Sequence, residues 1–384
     1  MRYDWDIDKL KELRRALNRL KTSEISKDEL ANINGDLENI NEMLSIMKNP
    51  YAKVRIIDDI DDNKFFDRHK LISMNKYNAY KEILPYVEKI MIKLSKKMSK
   101  LYNDYVEIGI PRLTNTKELI SLSYEVYKSL PTKSNTYKDR FLKYTNPRNN
   151  NIKIIQNEVN SNFSVYGYIY FFQYPTYEPY IIMTQDKTLE DISVLCHELG
   201  HAIFYDPSIT TLNRNYYLGE VEGYYFEYMA RKYIQKMGYE KYVTNELEYR
   251  RFTTVYDEYI SFYIMRLLIN KYNFNKKIDL DKLMRYLTTK VDRNFNVDCA
   301  NEAYINYSLN QNNHNVSKYI MSYLTFLDIE EMDKKDPELA FNMLKEVCKI
   351  EGDYILPKLR QNHITFMDDG CKNLEKKIRQ MNRI

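Results

Sequence analysis

No stretch of this sequence is long and apolar enough to cross a bilayer. The two most apolar segments, Tyr166–Phe172 and Tyr259–Ile269, fall far short of the roughly 20 residues a spanning helix needs, and Arg266 interrupts the second. The chain opens Met1-Arg-Tyr-Asp-Trp-Asp-Ile-Asp8, acidic and without an apolar run, which predicts no signal peptide. Cysteine is scarce: Cys196, Cys299, Cys348 and Cys371 are scattered without CxxC spacing, a pattern of reduced, buried thiols and not of a disulfide framework. Together these absences predict a cytoplasmic protein with no membrane partner. A one-sided charge is missing too. With 58 basic and 54 acidic residues the net charge is only +4, which argues against a dedicated nucleic-acid binder. No internal repeat and no low-complexity tract is present.

Tyrosine, by contrast, is abundant, with 37 residues. Tyr, Asn, Lys and Ile share AT-rich codons, so we read the excess as base composition and not as a stacking surface. At 384 residues the chain can bury a large core, as one big domain or two intimate lobes.

The first ~145 residues carry helical periodicity. Ser26-x-x-Glu29 is a capping-box pattern opening a helix to about Met47. A second helical pattern covers Arg68 to Val106, bent at Pro85. Asn115–Leu130 is a third, stopped by Pro131. The polar run Asn146-Pro-Arg-Asn-Asn-Asn151 is the clearest break, dividing a helical N-terminal region (1–150, a partial lobe or lid) from a second region (151–384). After it come three β-like runs: Ile152–Gln156, Val165–Phe172 and Pro179–Met183. From Thr188 the pattern is helical to the end. The expected fold is mainly α, with one small β-sheet beside the central motif.

That motif lies in a helix expected over Leu189–Phe204, opened by the capping-box-like Thr188-Leu-Glu-Asp191. Within it reads His197-Glu-Leu-Gly-His201. Two histidines one turn apart project from one helix face and can fill two corners of a tetrahedral zinc site. Glu198, about 100° round the helix, can hold the metal's water without ligating the metal. Ile192, Leu195, Leu199 and Ile203 supply the apolar face that anchors the helix. Cys196, beside His197, reads as a buried small residue pointing off the metal face.

A catalytic zinc site needs a third protein ligand. Glu220 and Glu222 compete for that place in Leu218-Gly-Glu-Val-Glu-Gly-Tyr-Tyr-Phe-Glu227. On a helix they diverge by about 200°, so only one can face the metal. Glu220, Gly223 and Glu227 share a face, which suits a ligand followed by an acid that orients a histidine. We therefore take Glu220 as the ligand and Glu227 as the outer acid, with one Zn2+ per chain.

Beyond HExxH, the succession Pro179-Tyr-Ile-Ile-Met183, Thr188-Leu-x-Asp191, Leu195-x-His197-Glu-Leu-Gly-His201 and Glu220-Val with Glu227 resembles the oligoendopeptidase F and thimet oligopeptidase family of zinc peptidases. Gly352-Asp-Tyr-Ile-Leu-Pro357 and Asp368-Asp-Gly370 resemble the end of its catalytic domain, so the resemblance runs from about Ile152 onward. It implies a zincin-like catalytic domain, a peptide substrate and cleavage of oligopeptides or unfolded segments. Two departures stand out. The region where that family has a Gly-Ala-aromatic strand reads Asn162-Phe-Ser-Val-Tyr166, and the part before the motif is much shorter.

The resemblance further implies oxyanion donors from a late loop and helix, for which His314, Tyr319 and Tyr323 are the candidates. The two tyrosines are i, i+4 on an expected helix. His69 and His363 read as structural. The strand around Tyr180–Met183 is expected to accept an extended peptide as an added strand. A zinc aminopeptidase is the alternative enzyme reading: 18 residues separate His201 from Glu220, as in that group, but its Gly-x-Met-Glu-Asn segment is absent. An inactive peptide-binding protein with a structural zinc is a third reading, opposed by an intact Glu198.

Overall fold

A computed structural model describes residues 7–21, 26–48, 111–149, 151–156, 167–172, 178–204, 218–243, 247, 285, 314–351, 359, 361, 373 and 376. The expected helix at Arg68–Val106, the segments Gly352–Pro357 and Asp368–Gly370, and His69 and His363 lie outside the described residues. The chain divides into two compact units, Met1–Ile60 with Pro111–Asp206 and Asp61–Ile110 with Pro207–Ile384. The break at 146–151 lies inside the first.

The first unit begins with α1 (Ile7–Leu20) and α2 (Lys27–Lys48). The capping box at Ser26 forms in full: Ser26 Oγ accepts from the Glu29 N–H at 3.2 Å, and the Glu29 carboxylate accepts from the Ser26 N–H at 3.0 Å. Leu10 and Leu17 of α1 meet Ile33, Leu37, Ile40, Met43 and Leu44 of α2, at the 3- and 4-residue spacings of one helix face.

That apolar face lies on a three-stranded sheet of β1 (Ile152–Gln156), β2 (Gly167–Phe172) and β3 (Glu178–Gln185), in the order β1-β3-β2. β3 pairs parallel with β1 and antiparallel with β2. Tyr170, Tyr180 and Ile182 point into the α1/α2 cluster. Alternation along the strands sends Gly167, Ile181 and Met183 to the opposite face. Pro179 is tolerated in a central strand because it stands at the strand's start, just beyond the end of β1. There Asn151 bridges the gap, its side chain donating to the Pro179 carbonyl at 2.8 Å while its own carbonyl accepts from the Ile181 N–H at 2.8 Å.

Against the other sheet face packs α5 (Glu190–Phe204), backed by α3 (Thr116–Lys128) and α4 (Thr136–Thr145). Asn115 caps α3 by accepting from the Glu118 N–H. Tyr127 and Phe141 join α3 to α4, with ring centroids 4.7 Å apart.

The second unit is built on α6 (Val221–Lys236), followed by the short α7 (Glu240–Tyr242), α8 (His314–Asp333) and α9 (Pro337–Cys348). Every residue of α6 from Val221 to Arg231 is buried. α6 packs against both α8 and α9, with Tyr225 on Phe341 and Tyr228 on Phe326. It ends at Gly238 (φ 94°), whose N–H donates to the Gln235 carbonyl while the Tyr239 N–H reaches Ile234, a Schellman closure that needs a left-handed residue. The Asp336 side chain accepts from the Leu339 N–H to cap α9, with Pro337 at the first helical position.

No described helix is long and apolar enough to cross a membrane. The expected mainly helical fold with one small sheet is what the described residues form. Ser26→Ala removes the hydroxyl half of the first cap, leaving the backbone N–H at position 26 to the Glu29 carboxylate, and should lower unfolding free energy by about 1 kcal/mol in urea titration; an unchanged midpoint would show that the α1/α2 pair does not depend on it.

Candidate metal centre

The α5 helix is held within its own unit by the sheet and by α3 and α4. Ile192, Leu195, Leu199 and Ile203 are all fully buried. Tyr127 Oη of α3 donates to the Cys196 carbonyl at 3.3 Å, and Arg140 of α4 donates to the Ile203 carbonyl at 2.7 Å, placing a cation at the helix C-terminus. Tyr137 stacks on Phe204, with centroids 5.5 Å apart. Cys196 is a buried free thiol, as expected.

At the helix start the expected cap forms only in part. Asp191 accepts from the backbone N–H groups of Asp186 and Thr188, at 3.3 and 3.2 Å. The Thr188 hydroxyl makes no hydrogen bond among the described residues. Thr188 is instead tied to the chain before α3, through a bridge to Arg112. Burial pushes the Asp191 carboxyl up to about 7, outweighing the N–H donors that pull it down.

The two motif histidines meet at their ring edges. Nε2 of His197 and Nε2 of His201 are 3.0 Å apart, with the rings nearly perpendicular. His201 is buried and His197 half-buried. Glu198 is 7% exposed and lies on the sheet at Gly167 of β2. The contact is closer than any side chain allows: a Cβ at Gly167 would stand 2.5 Å from Glu198 Oε1 and 2.6 Å from its Cγ. Sequence reasoning missed Gly167, although an isolated glycine inside a β-like run is itself a sign of close approach.

In the second unit, Glu220 precedes α6 as its N-cap residue and does not lie inside the helix. It is buried, and its N–H donates to Ser322 Oγ of α8 at 3.1 Å. Its rival Glu222 is fully buried elsewhere, against Cys348 of α9, whose Sγ stands 3.7 Å from Oε2. Glu227 pairs with Arg231 at 3.4 Å, both side chains 4% exposed. One more buried acid, Asp333, takes the hydroxyls of Tyr225 and Tyr228 and the ammonium of Lys232. Burial, reinforced by the Asp333 charge, drives both phenols far above their ordinary pKa.

Among the described residues one group of three possible ligands comes together: His197, His201 and Glu220 each offer a ligand atom, all within 4.8 Å of one another. Two nitrogens and one oxygen, with both partners besides His197 buried, is a donor set a divalent metal ion fits.

The candidate oxyanion donors are less uniform. His314 is the first residue of α8. Tyr319 is half-buried, and its carbonyl accepts from Tyr224 Oη. Tyr323 is fully buried, edge-on to Tyr224 at 5.3 Å and near Phe326.

The expectation that β3 receives a peptide strand is overturned. β3 is the central strand, with one edge occupied by β1 and the other by β2, so its backbone groups are already paired.

The sequence matches no protein-family model and no curated protein. By structure it is similar to solved peptidases over nearly all of its length. One is a protein assigned as an oligoendopeptidase F, at TM-score 0.58 and 12% identity, covering 98% of this chain and 67% of that one. The chain has the oligoendopeptidase F fold. PZ peptidase A, solved with an inhibitor, is similar at TM-score 0.52 and 13% identity, covering 99% and 69%. A protein assigned as a peptidase from Chlamydophila abortus follows at 0.52 and 14%, covering 98% and 63%. The chain thus spans about two thirds of the length of these structures.

Asp191 yields a test in pH. Its folded pKa of about 7 lies above the ordinary 3.8, so the stability it contributes is full below about 4 and is lost as pH rises toward 7. Asp191→Asn lacks that loss. The Tm of the variant relative to wild type should therefore rise between pH 5 and pH 8; a constant difference would mean that Asp191 titrates normally.

Proposed function

We propose that this protein is a zinc metalloendopeptidase that hydrolyses peptide bonds in oligopeptides or unfolded segments. The observation that carries the reading is the grouping of His197, His201 and Glu220 with Glu198 beside them in the motif. Three protein ligands leave a fourth position for water or substrate, the arrangement of catalytic and not structural zinc. The peptidase fold supports the same conclusion.

Zinc held there would supply Lewis acidity, lowering the pKa of a water and polarising the scissile carbonyl. Glu198 takes the proton of the attacking water and delivers it to the leaving amine. Glu222 is not the ligand in this reading, because Glu220 and not Glu222 stands in the group with the two histidines, while the Glu222 carboxylate lies 3.7 Å from the Cys348 thiol. Glu227, held by Arg231, serves as the outer acid that orients a ligand histidine. Of the oxyanion donors, Tyr323 is enclosed by aromatic rings and suits packing, which leaves Tyr319 and His314 for the developing charge.

Purified protein should contain one zinc per chain, and mass spectrometry of a mixed peptide library should show internal cleavages that a chelator abolishes and zinc restores. Glu198→Gln should keep its zinc and lose at least about 100-fold in kcat. Wild-type turnover in that variant would end the proposal. Equal cleavage of N-acetylated and free peptides separates the endopeptidase from an aminopeptidase, which needs the free amine. Tyr319→Phe should lower kcat by about 10–100-fold with KM little changed, whereas Tyr323→Phe should leave kcat near wild type; the reverse order would exchange their roles.

A further inference from the structure

Gly167 has no backbone reason to be glycine. It stands in the regular strand β2, paired with Met183 of β3, and the left-handed glycine among the described residues is Gly238. What distinguishes the position is space. The Glu198 side chain fills the volume a Cβ would occupy, with Oε1 at 2.5 Å, Cγ at 2.6 Å and Cδ at 2.9 Å from the place of that atom. Real Cβ contacts are essentially never that short. Because Cγ as well as the carboxylate is involved, a rotation of the carboxylate alone does not relieve the overlap. The side chain as a whole has to swing off the sheet.

We propose that Gly167 is a positioning residue: the notch left by its missing side chain seats Glu198 against β2 and fixes where the carboxylate stands relative to the histidines of its own helix. The proposal deepens the reading of Glu198 as the base and rests on it, but the seat itself is a packing claim that holds or fails independently. A strand is a stiff support, and α5 cannot retreat from it. Ile192, Leu195, Leu199 and Ile203 are buried, and Tyr127 and Arg140 hold its carbonyls from behind. A methyl group at 167 is therefore relieved by moving Glu198 and not the helix. Displacing a reacting group by about 1 Å costs on the order of 100-fold in rate.

The test is a double-mutant cycle on thermal stability, joined to kinetics. Gly167→Ala should lower Tm by several degrees in the wild-type background and by far less in a Glu198→Ala background, where the notch is empty. An equal loss in both backgrounds overturns the seat. Folding of Gly167→Ala only when Glu198 is truncated supports it, and failure to fold in both overturns it. Gly167→Ala that folds should keep its zinc and its KM and lose about 10–100-fold in kcat; wild-type kcat overturns the positioning role even if the stability coupling is found. A wild-type protein that cleaves no peptide defeats the functional reading, while the stability cycle still decides the seat.

Discussion

The chemistry proposed for this protein depends on the immobility of α5. Two imidazoles one turn apart are ligands only if the helix carrying them neither rolls nor slides. Here the helix is pressed between the sheet on one side and α3 and α4 on the other. Four aliphatic side chains key it into the core, and two carbonyls are gripped from outside the helix by Tyr127 and Arg140. Burying four such side chains stabilises the arrangement by roughly 6–12 kcal/mol before the entropy of ordering is counted. That helix also carries Glu198, so one rigid body fixes both imidazoles and the carboxylate.

Much of this was legible in the sequence because it is local. The spacing of His197, Glu198 and His201, the box at Ser26 and Glu29, and the three β-like runs all rest on periodicities of a few residues. They reappear with boundaries shifted by at most two positions. What escaped depends on pairing between distant segments. Nothing in Tyr180–Met183 says that β1 and β2 will claim both of its edges. The role of Gly167 exists only once β2 lies under α5, and Arg140 becomes a helix cap only when α4 folds against Ile203. Glu220 against Glu222 could be posed from angular spacing alone. The partner that distinguishes them, Cys348, stands 126 positions away from Glu222.

The second unit shows how buried acids on neighbouring helices can differ in their surroundings. Glu222 faces a thiol, Glu227 an arginine, and Asp333 across from them two phenols and a lysine. Each partner set defines a different electrostatic environment. Removing a buried partner is costly, commonly 3–5 kcal/mol for a charged one, because the carboxylate left behind is neither solvated nor paired.

The unit that carries α5 is also discontinuous along the chain. Its sheet face is covered by α1 and α2, and the bond from Asn39 to the Phe171 carbonyl spans 132 positions. During synthesis the first helices leave the ribosome long before the strands they cover exist. Leu10, Leu17, Ile40 and Met43 can meet one another before the strands exist, but Tyr170, Tyr180 and Ile182, which complete their cluster, come later in the chain. Completing this unit therefore requires contacts of long sequence separation, the kind whose loop-closure entropy slows folding. Until that closure the α1/α2 pair lacks the sheet that completes its apolar cluster.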